Sequence, residues 1–436
     1  MIFRQLSPCL LAGALFLIPF TAAQAQSLPE PLTLQAALQQ AERAGHYQNL
    51  LADQALQQSI AEAEQTQSVN DFSVNLNGRL REVQRSSAAD PQNDSAIKLF
   101  VRKPLYDFGK TAANDDLATL NIELKRLEKQ YLVEQRKLSI RKKYYDVLNA
   151  DNQYLRDNEE LAIGFIRYDR TRENQLLGLS SELDVLKTRA AYERIRQNRY
   201  NSENLQRLTR VLLAEELGFA DDPPNELALP ELDSTARLGD DIDGMVAQAM
   251  QYSLRLRIEN KKLQLARQEI ERARHTTGAT LDAELELADY VLDSTSRDDW
   301  RASIYLDVPL YSGSAERSAI KLATARYQQQ LAALQRVQSE IRIEVLTLWQ
   351  AIRQNSLRVQ GDEIDQEYRD MILDRSRAEY ELEFKTDLGN SMVQFSESRR
   401  KTWQARLELD MAWSKLEVLL GKDFLEQIKQ HEGNNG

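Results

Sequence analysis

Cysteine and histidine are almost missing: 1 Cys and 3 His in 436 residues. This excludes zinc ribbons, disulfide scaffolds, iron–sulfur sites and Cys/His nucleophilic catalysis. Proline (10) and glycine (16) are also scarce, so little interrupts a helix. A basic excess is lacking too. Lys and Arg number 56 against 67 Asp and Glu, a net charge of -11, and such a chain is a poor candidate for wrapping nucleic acid, which wants a basic face. Past the first twenty or so residues no apolar run approaches the ~18 needed for a transmembrane helix. No GxSxG, HExxH, P-loop or GxGxxG occurs. His46, His275 and His431 follow no metal-ligand spacing, and carboxylates along long helices read as solvated faces. Neither an enzyme nor a cofactor or metal site is expected.

What is present begins with a leader. Arg4 precedes an apolar run from Cys9 to Phe20, and Ala23-Gln24-Ala25 follows as a small-x-small cleavage site. Residues 1–25 read as a secretory signal peptide that takes Cys9 with it. The chain is therefore expected to be exported, and any membrane span must be built from strands.

Helical periodicity dominates the remainder. Leu117, Leu120, Leu124, Leu127, Tyr131, Leu138, Tyr145, Leu148, Leu155 and Ala162 fall on a 3–4 spacing, and Tyr327, Leu331, Leu334, Ile341, Val345, Leu348, Ile352 and Val359 repeat it. Both runs read as coiled-coil seams on helices roughly 100 Å long. Helices of that length do not belong to a compact globule.

Before each seam the period changes to two. Phe72, Val74, Leu76 and Leu80 alternate with polar residues, as do Ile97, Leu99 and Val101. Ahead of the second seam Leu281, Ala283, Leu285 and Leu287 alternate with Asp282, Glu284 and Glu286, and Trp300 to Val308 does the same. Alternation over about 9–12 residues is the pattern of a transmembrane β-strand. Phe72, Tyr106, Tyr290, Trp300 and Tyr311 lie near strand ends and suit an aromatic girdle. Arg79, Arg81, Lys98, Arg102, Asp282, Glu284, Glu286 and Asp307 are expected to face inward, toward water.

The chain repeats itself. Pro104-Leu105-Tyr106 returns as Pro309-Leu310-Tyr311, and Leu217-Gly218 as Leu420-Gly421. The expected units are 26–218 with a strand pair at about 71–106, a Pro/Asp-rich linker at 219–241, 242–421 with a strand pair at about 280–311, and a short polar tail at 422–436. Four strands cannot close a barrel, and an open edge cannot sit in lipid. Other copies must complete it. The long charged inward residues favour a wide, water-filled assembly.

These features together resemble the TolC-type outer-membrane efflux proteins, over essentially the whole chain after the leader. The carrying motifs are Leu32 to Leu38 (LTLQAAL), Pro104 to Gly109 (PLYDFG), Pro309 to Gly313 (PLYSG) and Gly178 to Leu186 (GLSSELDVL). The resemblance implies an α+β membrane protein: a trimer whose twelve strands form one outer-membrane β-barrel, continued by a periplasmic α-helical coiled-coil tunnel. It implies an exit duct for a tripartite efflux pump or type I secretion, with a periplasmic adaptor and an inner-membrane transporter as partners. The alternative is a non-conducting periplasmic adaptor or structural coiled-coil protein.

The breaks near Leu177 to Ser181 and Glu383 to Asp387 would then form the periplasmic mouth. By the resemblance, Asp184 of the first hairpin pairs with Tyr380 and Lys385 of the second to latch it. The positions where related mouths carry aspartate rings hold Gly389 and Met392 here. Glu383 and Asp387 are the alternative acidic lining.

Overall fold

Alternating and heptad segments of this sequence have few ways to bury their apolar faces, and a computed structural model finds an elongated one. The structure describes residues 28–43, 45–84, 90–232, 241–292, 297–382 and 387–421. The leader, Lys385, Glu383, His431 and the tail lie outside them. Chain order is α1 (Leu34–Gln39), a 3₁₀ turn, α2 (Tyr47–Ser68), β1 (Ser73–Arg79), β2 (Glu82–Val83), β3 (Gln92–Asn93), β4 (Ala96–Tyr106), α3 (Lys110–Leu176) and α4 (Glu182–Leu217). The second half runs α5 (Ile242–Tyr252), α6 (Leu254–His275), β5 (Thr280–Tyr290), β6 (Trp300–Asp307), α7 (Ala315–Glu381) and α8 (Leu388–Leu420). The helical stretch ahead of β1 is broken in two. Thr33 caps α1 and His46 caps α2, and the chain turns between them. The second half has the same break at Ser253.

The sheet runs β1-β4-β5-β6, antiparallel throughout. Directly opposed residues share a face. Val74, Val101, Leu285 and Ala302 form one apolar row, and Leu76, Leu99, Leu287 and Trp300 the next. On the other face Arg102 opposes Glu284, with a 2.9 Å bond from its Nε, and Lys98 Nζ reaches Glu286 at 2.5 Å. The apolar face is uncovered: Leu76 is 73% and Ile304 71% exposed. One girdle assignment needs correcting. Tyr290 opposes Ala96 on the ion-paired face, beneath the Arg297 guanidinium 4.8 Å from its ring. Among the described residues no helix is long and apolar enough to cross a membrane.

α3 and α7 each run 67 residues, about 100 Å. α7 keeps its heptads. Leu334, Ile341 and Leu348 are buried at steps of seven, as are Val345, Ile352 and Val359. α3 departs from its expected seam. Leu124, Tyr145 and Leu148 are buried, but so are Arg136, Ile140, Tyr144, Val147 and Ala150, whereas Leu155 is 58% exposed. The reason is partnership. α3 packs on α2, α4, α6 and α8 in turn, so its buried face widens and rotates rather than following one seam.

The core gathers at mid-length. The Tyr144 hydroxyl lies within hydrogen-bond distance of both Leu32 O (2.7 Å) and Ala228 O (2.5 Å), and its one proton bonds either, fastening the start of the chain and the linker to α3. Beside it, buried Arg136 donates to Ala41 O (2.7 Å) and Glu216 O (2.8 Å). His46 is also buried there. Burial and the Arg136 charge push its pKa below the ordinary value, so the imidazole stays neutral and its Nδ1 accepts from Gln48 N.

Candidate functional site: the tips of the two helical hairpins

The first tip is made by local sequence. Gly178 takes φ +74°, which a side-chain-bearing residue rarely adopts. Leu179 N donates back to Asn174 O at 2.7 Å, closing α3. Ser181 then opens α4 with a capping box. Its hydroxyl accepts from Asp184 N at 3.2 Å, and its own N–H and hydroxyl donate to Asp184 Oδ2 at 3.1 and 2.6 Å. The Ser181 hydroxyl, then its N–H, hold the Asp184 carboxyl below its ordinary pKa. Asp184 thus serves its own helix start. Tyr380 lies in the last turn of α7, 62% exposed, and makes no side-chain hydrogen bond to a described residue. The structure brings Asp184 and Tyr380 into no bond.

A different pair spans the hairpins. Arg167 on α3 donates from Nη2 to both oxygens of Asp387, at 2.9 Å each. Asp387 is at the same time the N-cap of α8, accepting from Asn390 N at 3.1 Å. The pair closes a series of polar links between antiparallel α3 and α8. Arg141 Nη1 (2.7 Å) and Tyr145 OH (2.5 Å) bind Asp410, Arg156 Nε reaches Glu397 at 3.2 Å, and Ser396 donates to Glu159. Toward the tip apolar packing gives out: Leu176, Leu177, Leu179 and Leu183 are each more than 70% exposed. Polar links therefore carry much of the hold between the hairpins there.

Gly389 belongs to this contact. A Cβ built on it would stand 2.7 Å from Ile163 Cγ2 and 2.9 Å from its Cδ1. It marks a close approach of α8 to α3. Met392, one turn on, is 36% exposed. Gly389→Ala is expected to push the tips apart or cost ~1–3 kcal/mol by overpacking. Ile163→Ala in the same chain should recover most of it. Chemical unfolding of wild type, the two single variants and the double variant measures the coupling, and additive effects would refute the contact.

Sequence reading missed Arg167. α3 carries many arginines, and only the register of α8 selects this one. Among the described residues no group of three His, Cys, Asp or Glu is placed to hold a metal. His46 caps a helix, and the His275 ring lies 3.5 Å from where a Cβ on Gly109 would stand.

No protein-family profile matches the sequence, and no curated protein sequence matches it either. Solved structures do. The chain superposes on CusC, studied for its conformational changes on folding and transmembrane channel formation, with TM-score 0.72 at 15% identity, covering 89% of this chain and 92% of that one. It matches the Campylobacter jejuni CmeC outer membrane channel with TM-score 0.72 at 13% identity, over 91% and 89% of the two chains. It matches the outer membrane protein VceC of Vibrio cholerae with TM-score 0.67 at 17% identity, over 89% and 96%. At such identities the likeness is one of architecture, and on that ground this chain has the fold of the TolC-like outer-membrane channels.

Proposed function

We propose that the protein is the outer-membrane exit duct of a tripartite efflux pump or type I secretion system. It is a passive homotrimeric channel-tunnel of the Gram-negative outer membrane, reaching into the periplasm and gated at its tip. The observation that carries this reading is the sheet. One face is apolar and uncovered between Lys103 at one end and Asp289 at the other, the opposite face is ion-paired, and β1 and β6 each pair on one side only. In lipid an unpaired strand edge is costly. Joining β6 to β1 of a second copy removes it, and three copies give a twelve-stranded barrel wide enough for water. The helices support the same assembly. Ile343, Leu357, Ile364 and Met371 lie at multiples of seven along α7 and are all more than 60% exposed, a second apolar stripe that fits a helix of a neighbouring copy. Residues 1–25 are the export signal. Residues 26–218 and 242–421 are the two repeats, 219–241 the belt between them and 422–436 the tail. A periplasmic adaptor and an inner-membrane transporter supply recruitment and energy.

Gating follows from what holds the tip. Arg167 and Asp387 are more than half exposed, so the pair is worth only ~0–1 kcal/mol. Such a link is breakable without unfolding either hairpin. Asp184, Tyr380 and Lys385 are proposed as further latch residues, with Glu383, Asp387 and Met392 near the lining. Arg167→Ala is expected to raise single-channel conductance in a planar bilayer while changing unfolding stability by less than ~1 kcal/mol. Asp184→Ala and Lys385→Ser act in the same direction. Wild-type conductance in Arg167→Ala would remove this pair from the gate and leave the duct. A protein that leaves cells with the periplasmic fraction, without detergent, would instead be an adaptor.

A further inference from the structure

The polar face of the sheet is unevenly charged along its length. At the end nearest the long helices, Arg102 stands among Glu284, Asp282 and Asp307. At the far end the balance reverses around Asp94, in the turn that leads into β4. Its side chain is completely buried. Arg81 and Arg297 both donate to its carboxylate, and Arg79 Nη2 lies 3.7 Å from Oδ2. Three guanidiniums share one carboxylate, which leaves two net positive charges. Among the described residues Glu82 and Asp90 form no ion pair with them, and the adjacent Lys98–Glu286 and Arg301–Asp298 pairs neutralise themselves.

Arg79 and Arg81 are only partly used. Each engages Asp94 through a single side-chain nitrogen, Nη2, and their side chains remain 42% and 49% exposed. The other side-chain N–H groups of both guanidiniums make no hydrogen bond to a described residue. By strand parity Arg79 shares its face with Asn75 and Asn77, the ion-paired side of the sheet. The buried carboxylate holds the guanidiniums at one level, so their forks are ordered before any ligand arrives. A guanidinium fork matches the paired oxygens of phosphate or carboxylate. Low-dielectric barrel walls would focus the field of the surplus charge, and a trimer would triple that charge at one level.

We propose that Arg79 and Arg81, held on Asp94, form an oxyanion-binding constriction at the outer end of the lumen, which takes the phosphate or carboxylate group of a solute leaving the barrel. Its position on a lumen rests on the duct reading; the binding cluster itself does not.

The probe is inorganic tripolyphosphate, titrated calorimetrically into the detergent-solubilised full chain at low salt. Wild type is expected to bind. Arg79→Gln with Arg81→Gln should weaken binding about a hundredfold, roughly tenfold for each charge-assisted hydrogen bond removed. Arg102→Gln, at the other end of the sheet, should leave it unchanged. Arg79→Lys with Arg81→Lys keeps the charge without the fork, so it is expected to fall between, and it serves if the glutamine pair fails to assemble. No binding by wild type, or equal binding by the glutamine pair, overturns the proposal. In zwitterionic bilayers the same anion, added to the barrel side, should reduce wild-type current, which assigns the site to a free anion and not to a lipid headgroup. A chain that conducts but does not bind loses this constriction alone. A chain that binds but never conducts loses the duct reading and keeps the cluster.

Discussion

Leu285→Arg is expected to destabilise the assembled protein by roughly 2–4 kcal/mol, the cost of a basic side chain on a lipid-facing strand near the bilayer midplane. Leu285 opposes Val101 on β4 and Ala302 on β6, so it sits in the middle of the apolar face with a strand on either side. Its neighbour in sequence is the control. Glu284 points to the opposite face and meets Arg102 in a pair whose arginine is 61% exposed. Glu284→Gln should therefore cost no more than ~1 kcal/mol. Chemical unfolding from phospholipid vesicles compares the two. Wild-type assembly and stability in Leu285→Arg would invert the assigned faces.

Arg136→Ala is expected to cost roughly 3–5 kcal/mol, as removing one partner of a buried ion pair does. Arg136 is 2% exposed, and it ties three segments at once. Its Nη1 reaches Ala41 O after α1, and its Nη2 reaches Glu216 O at the end of α4. Its Nε lies 3.8 Å from the Glu216 carboxylate. Without it Glu216 O loses its side-chain donor, and Ala41 O keeps only Asn49 Nδ2, at 2.8 Å. Burial alone would raise the Glu216 pKa, but the Lys143 and Ser139 hydrogen bonds, with the Lys143 and Arg136 charges, hold the carboxyl below its ordinary range. The carboxylate thus stays charged and loses one of its cations. Arg136→Lys should recover little, because one ammonium cannot span both carbonyls. Chemical unfolding at neutral pH measures both variants, and a loss below ~1 kcal/mol for Arg136→Ala would show the clamp to be incidental.

The two predictions differ in how far the sequence foretells them. Period-two alternation states which side chains share a face, so the apolar rows through Leu285 and Leu287 follow from the chain itself. The same parity governs Tyr290. Positions 281, 283, 285 and 287 are apolar, so 290 falls with Asp282 and Glu286, and reading it as a girdle residue weighed its nearness to the strand end above its face. The heptads of α7 are equally plain, because that helix keeps one buried stripe over much of its length. Those of α3 are not, because a helix that packs on four others in succession has no single seam. Arg136 carries no local signal either. It lies off the apolar seam between Tyr131 and Leu138, and only the approach of Ala41 and Glu216 makes it core.

The tip divides in the same way. Gly178 and the Ser181–Asp184 capping box are sequence features, since a turn and a cap are settled within a few residues. The Arg167–Asp387 pair joins positions 220 residues apart, and Gly389 is explained only by Ile163 across the gap. What the sequence by itself determined is every property with a short period: the faces of the strands, the length of the long helices and the local caps. What the tertiary structure decided is which side chains meet between elements. That depends on the axial register of two long antiparallel helices, where a shift of one turn exchanges every partner while leaving each helix's own pattern unchanged.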